Sequence, residues 1–349
     1  MVSALRNLAK SAAYGLAGAL APLVLRSLRG PRLVVLTFHR VLPADHPARA
    51  YEQPGMIVSP ETLAMNIRVL RQHFELLHIE DWVERVRTGA PLPRLACALT
   101  FDDGWRDNYD YGFPVLQAEQ APATIYLVSD LVGSARGYWP TRLARLLCNA
   151  WRSNDIAPLQ AFAAQCPAVP VPLAVAPGSE IVAADAVLDA LKPNYSDAQL
   201  SAAVTSALGD RVASEPVDLM DWEQIAAMEQ SGLLRFGSHT RTHTRLRAGI
   251  DAALIKEEVD GSLAELSARL QQPVTGFCYP NGDHSQAAVQ QVSSSYHYAV
   301  STRRGWNTIQ SNRLFMHRLT AQTTDGLKGR LVARCLIALF SQTEPQKHD

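Results

Sequence analysis

Two groups of side chains in this sequence are suited to bind one metal ion together. Asp102 and Asp103 directly follow one apolar run, and His239 and His243 follow another. Two imidazoles and a carboxylate leave positions open on a bound metal, which is typical of catalytic and not of structural sites. The i,i+4 spacing of the histidines would place both on one face of a helix. Thr240 stands where a His-Glu-x-x-His zinc protease needs its glutamate, which disfavours that class.

A third group of residues is suited to hold a substrate. Tyr279, Pro280 and Asn281 lie in the segment Gly-Phe-Cys-Tyr-Pro-Asn-Gly, in which proline and glycine predict a tight turn. Backbone N–H groups of such a turn can stabilise a negative charge that develops on a substrate. Trp105, two residues after Asp103, is a candidate for the wall of the same cleft. Each motif alone is also common in ordinary turns, so the prediction depends on their joint occurrence.

Short apolar runs alternate with helical stretches from residue 31 onward, which predicts a parallel α/β sheet or barrel. Active sites of such barrels lie at the carboxyl ends of the strands, where all three motifs fall. Strands are predicted at residues 33–38, 96–101, 123–128, 233–237, 274–279, 298–302 and 315–319, and helices at residues 59–73, 222–231, 252–270 and 325–341. We expect a barrel over residues 31–349, interrupted by a mostly helical, Ala- and Pro-rich insertion at about residues 137–216.

The composition excludes several classes of protein. The 349 residues include 33 Lys and Arg against 33 Asp and Glu, and a neutral chain lacks the basic surface of a nucleic-acid-binding protein. With 47% hydrophobic residues, the chain can bury a large core. The five cysteines are scattered without a Cys-x-x-Cys pair, which argues against a disulfide framework and fits a reducing compartment.

Residues 1–30 form a separate segment. An almost wholly apolar run at residues 11–25 has basic residues on both sides. A membrane span needs about 20 apolar residues, so this run is too short. We expect a cationic amphipathic helix that touches the inner, anionic face of the membrane in a cytoplasmic protein. The alternatives are a helix packed against the barrel and an export signal, which would make the protein periplasmic.

The content and order of these motifs resemble the polysaccharide deacetylases, the NodB-like carbohydrate esterases of family 4. The resemblance rests on Thr-Phe-Asp-Asp-Gly, which ends at Gly104, and on His-Thr-Arg-Thr-His, which ends at His243. The segment Thr-Phe-His-Arg-Val at residues 37–41 is similar to the exopolysaccharide-biosynthesis branch of that family. The implied fold is a distorted (β/α)7-type barrel.

The resemblance also implies roles for individual residues. Asp102 matches the catalytic base. Asp103, His239 and His243 match the ligands of a divalent metal ion, with zinc as the first expectation. Asn281 matches the residue whose backbone N–H stabilises the oxyanion.

Two expected parts of the site match the family less closely. His317, near the C-terminus, is the expected general acid, with His39 second, although His317 could face outward while Arg318 faces inward. The arginine that usually braces the catalytic aspartate is replaced by Cys278, and Arg303 or Arg304 could take its place. The expected substrate contacts are Trp105, His39, Tyr279 and Pro280.

The leading expectation for function is removal of acetyl groups from N-acetylated sugars of an exopolysaccharide or of its lipid-linked precursor. The same metal chemistry would serve an O-acetyl ester or a non-sugar amide, so these substrates form the second hypothesis. A non-catalytic sugar-binding assembly subunit is the third, and the replacement of the arginine by Cys278 is its main support.

Overall fold

A curled, parallel β-sheet forms the centre of the protein. The computed structural model describes residue 18 and residues 20–322, 325 and 330–340. The sheet runs in the order β10-β1-β5-β6-β7-β8-β9, with β4 beside β5, while β2 pairs with β3 alone. An isolated parallel bridge between Val300 and Met316 joins the segment before β10 to β9. The expected distorted barrel is therefore confirmed. The strands are β1 (Arg32–Phe38), β2 (Arg40–Val41), β3 (Ile57–Val58), β4 (Glu75–Leu76), β5 (Leu95–Phe101), β6 (Ala123–Leu127), β7 (Leu234–Ser238), β8 (Gly276–Cys278), β9 (Tyr298–Val300) and β10 (Leu319–Thr320).

Helices surround this sheet and fill the connections between its strands. Their starts follow from the sequence; for example, the Ser59 hydroxyl accepts a hydrogen bond from the Thr62 N–H at 3.1 Å, directly before Pro60 at the first helical position. Two π-helical turns, Asn108–Gly112 and Glu257–Gly261, continue into α-helices. The α-helices cover Pro60–Arg71, Ile79–Thr88, Phe113–Ala118, Trp139–Ser153, Ala157–Gln165, Glu180–Leu191, Asp197–Leu208, Trp222–Gln230, Ala252–Lys256, Ser262–Arg269, Gln286–Ser295 and Arg330–Phe340.

Both faces of the sheet are buried, which explains why its strands are apolar throughout. Along β1, Val34 and Leu36 belong to the large core between the sheet and the helices, whereas Leu33 and Val35 belong to a smaller core inside the barrel. Gly276 must be glycine, because a Cβ atom there would lie 2.2 Å from the hydroxyl oxygen of a tyrosine in that inner core. The inner core forms the floor beneath the mouth of the barrel.

The expected insertion between β6 and β7 contains four helices. They are Trp139–Ser153, Ala157–Gln165, Glu180–Leu191 and Asp197–Leu208. Their buried side chains, among them Leu147, Phe162 and Leu188, form a hydrophobic core of their own. The insertion is thus a small helical unit attached to the barrel.

The N-terminal segment is only partly described, since residues 1–17 and residue 19 lie outside the described part. From residue 20 onward, Ala21 and Leu25 are buried in the main core, and Arg94 donates a hydrogen bond of 2.7 Å to the Leu25 carbonyl. Leu20 and Leu23 remain exposed, at 46% and 65%. Residues 20–25 therefore pack on the barrel, as one of the alternatives proposed. In the part of the chain that the structure covers, no helix has the length and apolarity needed to cross a bilayer.

Candidate active site

A buried carboxylate, Asp102, is held at the end of β5 by a guanidinium group. Arg318 donates to both carboxylate oxygens, with 2.7 Å from Nη1 to Oδ1 and 2.8 Å from Nη2 to Oδ2. Burial alone would raise the pKa of Asp102, but the charge of Arg318 and its hydrogen bonds outweigh burial, so this pKa lies below its ordinary value. Asp102 is therefore ionised at neutral pH and can accept a proton.

Three potential metal ligands meet beside this carboxylate. Oδ1 of Asp103 lies 3.4 Å from Nε2 of His239 and 3.4 Å from Nε2 of His243. Metal–ligand bonds of about 2.0–2.1 Å at tetrahedral angles separate neighbouring ligand atoms by about 3.3–3.4 Å. The Nδ1 atom of His239 is 2.7 Å from the Cys278 carbonyl oxygen, an acceptor that leaves Nε2 free for an ion. The donor set therefore fits a divalent metal ion.

The loops that carry these ligands contain strained backbone. The histidines lie on an irregular loop after β7 and not on a helix, so the helical-face argument for their spacing was wrong. Among the described residues, six other than glycine have a positive φ, and four of them are at this site: Asp103 (75°), Thr240 (65°), His243 (65°) and Asn281 (57°). Such conformations cost about 1–3 kcal/mol each and cluster at functional sites.

Aromatic side chains fix Asp103 from two sides. The Trp105 indole N–H donates to Asp103 Oδ2 at 2.9 Å, and the Tyr138 hydroxyl donates to its carbonyl oxygen at 2.5 Å. The Arg40 guanidinium lies 4.1 Å from the centre of the Trp105 ring and is itself held by Asp107, whose Oδ2 accepts from Arg40 Nε at 2.8 Å. Trp105 lines the cleft as expected, and its N–H also orients the Asp103 carboxylate, a potential metal ligand.

The two candidate acids lie in different places. His39 lines the cavity, with its Nε2 atom 3.7 Å from Asp102 Oδ2. Burial lowers the pKa of His39 more than the nearby aspartates raise it, which favours the neutral imidazole. His317 is not among the cavity-lining residues, and its Nδ1 atom lies 3.3 Å from the Trp306 carbonyl oxygen. Successive residues of an extended segment face opposite ways, so the inward direction of Arg318 turns His317 away from Asp102.

These groups line one cavity of about 340 Å³ at the mouth of the barrel. Tyr279 and Asn281 contribute to its lining, whereas Pro280 is buried in the turn and does not. Sequence reasoning missed other parts of the lining. One is Glu52, whose pKa burial raises to about 7 against the opposing charge of Arg40. The helical insertion also contributes to the lining, with Tyr138, Trp139, Pro140, Thr141, Ala144, Asp185, Leu188, Lys192 and Asp197.

A comparison with known families agrees with this geometry. The sequence model described as "Polysaccharide deacetylase" matches residues 90–153 and 183–300, which is just over half of the chain. The protein belongs to the polysaccharide deacetylase family. The matched residues include Asp102, Asp103, His239, His243 and Asn281.

Several relatives of this deacetylase-family protein are known. A 75-residue stretch is 40% identical to poly-β-1,6-N-acetyl-D-glucosamine N-deacetylase of Escherichia coli K12, and it covers 21% of this chain and 11% of that protein. Among solved structures, Streptococcus pyogenes deacetylase PplD has a TM-score of 0.58 at 15% identity, covering 88% of this chain and 99% of that one. IcaB from Ammonifex degensii gives 0.55 at 17% identity, with 88% and 98% covered. At these identities, the structural similarity shows a shared fold.

The arginine that holds Asp102 comes from a part of this chain other than the one expected. Neither Arg303 nor Arg304 supplies it, and the Arg303 guanidinium lies over the Phe315 ring, 5.2 Å from its centre. Arg318 supplies the guanidinium instead, and its Nη2 atom lies 3.2 Å from the Cys278 sulfur. The small thiol at position 278 leaves space for the guanidinium of Arg318, which extends from the segment before β10. The inward alternation of Met316 and Arg318 is the sequence signal that could have identified it.

Proposed function

We propose that the protein hydrolyses the N-acetyl group of hexosamine residues in an exopolysaccharide or in its lipid-linked precursor. The observation that carries this proposal is the ionised, buried Asp102 beside the three-ligand cluster of Asp103, His239 and His243. Membership of the polysaccharide deacetylase family supports the reaction class, and the relative that acts on poly-β-1,6-N-acetyl-D-glucosamine supports an N-acetylated glycan.

The chain's own residues suit each step of an amide hydrolysis. Asp103, His239 and His243 would hold a divalent ion, zinc as the first candidate, which would supply Lewis-acid chemistry to the acetyl carbonyl and to water. Asp102 accepts a proton as the water oxygen attacks the carbonyl carbon. The Asn281 backbone N–H stabilises the oxyanion at the cavity wall. His39 then relays a proton from Asp102 to the sugar nitrogen as the C–N bond breaks, and acetate and the free amine leave.

Asp102→Asn tests the role of the base. We expect the rate of acetate release to fall by about 10²–10⁴-fold, because the amide cannot accept the proton. Metal content, measured by elemental analysis of the purified protein, should stay unchanged, whereas the matched variant Asp103→Asn should lose metal. An Asp102→Asn protein with full metal-dependent activity would refute this assignment.

The same test series separates the other two functions. Turnover of an acetyl ester or of a non-sugar acetamide above that of N-acetylglucosamine oligomers would favour the second substrate class. The non-catalytic alternative rested on the arginine missing at Cys278, and Arg318 fills that place. A purified protein that binds no divalent metal would nevertheless favour a non-catalytic role.

Peripheral contact of residues 1–30 with the cytoplasmic face of the membrane is part of the same proposal. The exposed Leu20 and Leu23 are its support in the described part of the segment. We expect the full chain to sediment with anionic lipid vesicles and the double variant Leu20→Gln/Leu23→Gln to sediment less. Equal sedimentation of both proteins would contradict this contact, and processing of the segment in cells would support export instead.

A further inference from the structure

The helical insertion closes one side of the active-site cavity. It leaves the barrel after β6 and is fastened to the loops that follow β2 and β7. On the first side, Gln53 Nε2 donates to Asp185 Oδ1 at 2.6 Å, and Arg152 donates to the Ala50 carbonyl at 2.9 Å. The insertion thus reaches across the carboxyl end of β5 to a loop on the far side.

The second attachment joins the insertion to the loop that carries the metal-binding histidines. Arg245 Nε donates to both carboxylate oxygens of Asp197, at 2.9 and 3.1 Å, and Arg245 Nη1 donates to the Lys192 carbonyl at 2.9 Å. Arg247 donates to the same carbonyl at 3.0 Å. Fastened on both sides, the insertion covers the mouth of the barrel from β1 to β7.

The remaining side of the cavity is open to solvent. Asn281, Thr302 and Thr320 line the cavity and are exposed. Asn281 and Thr302 follow β8 and β9, and Thr320 is the last residue of β10. An internal residue of a glycan has a neighbour on each side, so its binding requires two exits from the cavity. The exposed residues leave an exit along β8–β10, and the insertion covers the opposite side. A volume of about 340 Å³ also lies near the lower end of the ~300–1,000 Å³ typical of sites that enclose small ligands.

The closed side is polar as well as aromatic. We call the end wall the four cavity-lining residues Glu52, Trp139, Asp185 and Lys192. Carboxylates and an ammonium group bind hydroxyl groups strongly, and an indole ring packs well against the face of a sugar. A terminal sugar carries a free hydroxyl group where an internal sugar carries a glycosidic bond. The end wall therefore matches the end of a glycan chain.

We propose that this cavity binds the terminal residue of an N-acetylated glycan, with its free hydroxyl groups against the end wall, so that acetyl groups are removed from chain ends. This inference rests on the proposed deacetylase function and names the part of the glycan on which it acts. Asp185 is then a specificity-determining residue, placed by its bond to Gln53.

Product mapping on defined oligomers tests the inference. The full chain, loaded with zinc, is incubated with β-1,4- and β-1,6-linked N-acetylglucosamine pentamers whose reducing ends carry ¹⁸O. Tandem mass spectrometry at low conversion then locates the free amine. We expect at least about a tenfold preference for one terminal position over any internal one, because the end wall loses hydroxyl partners when an internal residue binds. Predominantly internal or random deacetylation would overturn the inference while leaving the proposed function intact. Release of acetate from none of the sugars would overturn both.

A variant of the end wall provides the second measurement. Asp185→Ala removes one acceptor and its bond to Gln53, so we expect the KM for the pentamer to rise about tenfold while kcat changes little. The terminal preference should fall in parallel. Asp210→Ala is the matched control, because it removes an exposed carboxylate that lies after the last helix of the same insertion and does not line the cavity. Equal effects of the two variants would contradict the role of the end wall.

Discussion

The pair between Arg318 and Asp102 predicts how activity depends on pH. Arg318→Gln removes the two guanidinium hydrogen bonds of 2.7 and 2.8 Å from a carboxylate that is 3% exposed. A neighbouring arginine lowers the pKa of an aspartate by about 1–3 units, so its loss should raise the Asp102 pKa by about that amount. Asp102 must be ionised to accept a proton. The acidic limb of the kcat/KM profile should therefore move to higher pH by about 1–3 units.

The same substitution has a predicted effect on stability. Removing one partner of a buried ion pair costs about 3–5 kcal/mol, because it leaves an uncompensated charge. In the variant, burial holds the Asp102 pKa above its unfolded value, so protonation favours the folded state. The loss in the free energy of unfolding should therefore be largest at high pH and should shrink as the pH falls through the raised pKa. In the wild type the Asp102 pKa lies below its unfolded value. Its contribution to the free energy of unfolding is therefore lost as the pH falls through the lowered pKa.

Two further variants test whether Arg318 sets the charge of Asp102. Arg303→Gln removes a guanidinium that packs on Phe315, and it should leave the acidic limb in place. The double variant Cys278→Arg/Arg318→Gln returns the guanidinium to the family's usual position and should regain part of the activity that Arg318→Gln loses. The measurement is kcat/KM against pH, with metal content checked at each point. An acidic limb that stays in place in Arg318→Gln, or moves equally in Arg303→Gln, would show that Arg318 does not set the charge of Asp102.

Other predictions concern the metal site and the barrel floor. Trp105→Phe keeps an aromatic ring but removes the N–H that Asp103 accepts, so metal affinity should fall about 10–100-fold in a metal titration; unchanged affinity would mean that this bond does not orient the ligand. A chelator should abolish acetate release and added zinc should restore it, and activity that survives complete metal removal would contradict the metal site. Gly276→Ala places a Cβ atom 2.2 Å from the Tyr298 hydroxyl oxygen and should lower the free energy of unfolding by about 1–3 kcal/mol. Gly55→Ala, with open space around it, should change it by less than about 0.5 kcal/mol; equal losses in a denaturant titration would refute the packing argument.

The positions of the core site residues follow from local sequence and one rule of topology. Asp102 and Asp103 follow β5, His239 follows β7, and Asn281 follows β8 by a few residues. Parallel strands bring their carboxyl ends to one edge, so residues far apart in sequence meet there. Strand ends predicted to within a few residues were therefore enough to predict that these side chains share one site.

The contact between Arg318 and Asp102 could not be predicted in the same way. Arg318 is 216 residues from Asp102, and its inward direction depends on the register of the two-residue strand β10. A shift by one residue would have turned His317 inward instead, which is why the sequence alone did not separate the two. The same is true of the insertion. Its helical character could be predicted from the local sequence pattern, but the contacts of Asp185 and Asp197 with distant loops could not.

The strained histidine loop shows how the fold holds the two potential metal ligands His239 and His243 in place. Thr240 and His243 both have positive φ, so the loop needs support from outside itself. The buried Glu258 provides it, since one carboxylate oxygen accepts the N–H groups of Arg241 at 2.9 Å and of Thr242 at 2.8 Å. Glu258 lies in the π-helical turn Glu257–Gly261, where the extra residue of the turn shifts the direction of the side chains. The irregular turn and the irregular loop are therefore joined through the carboxylate of Glu258.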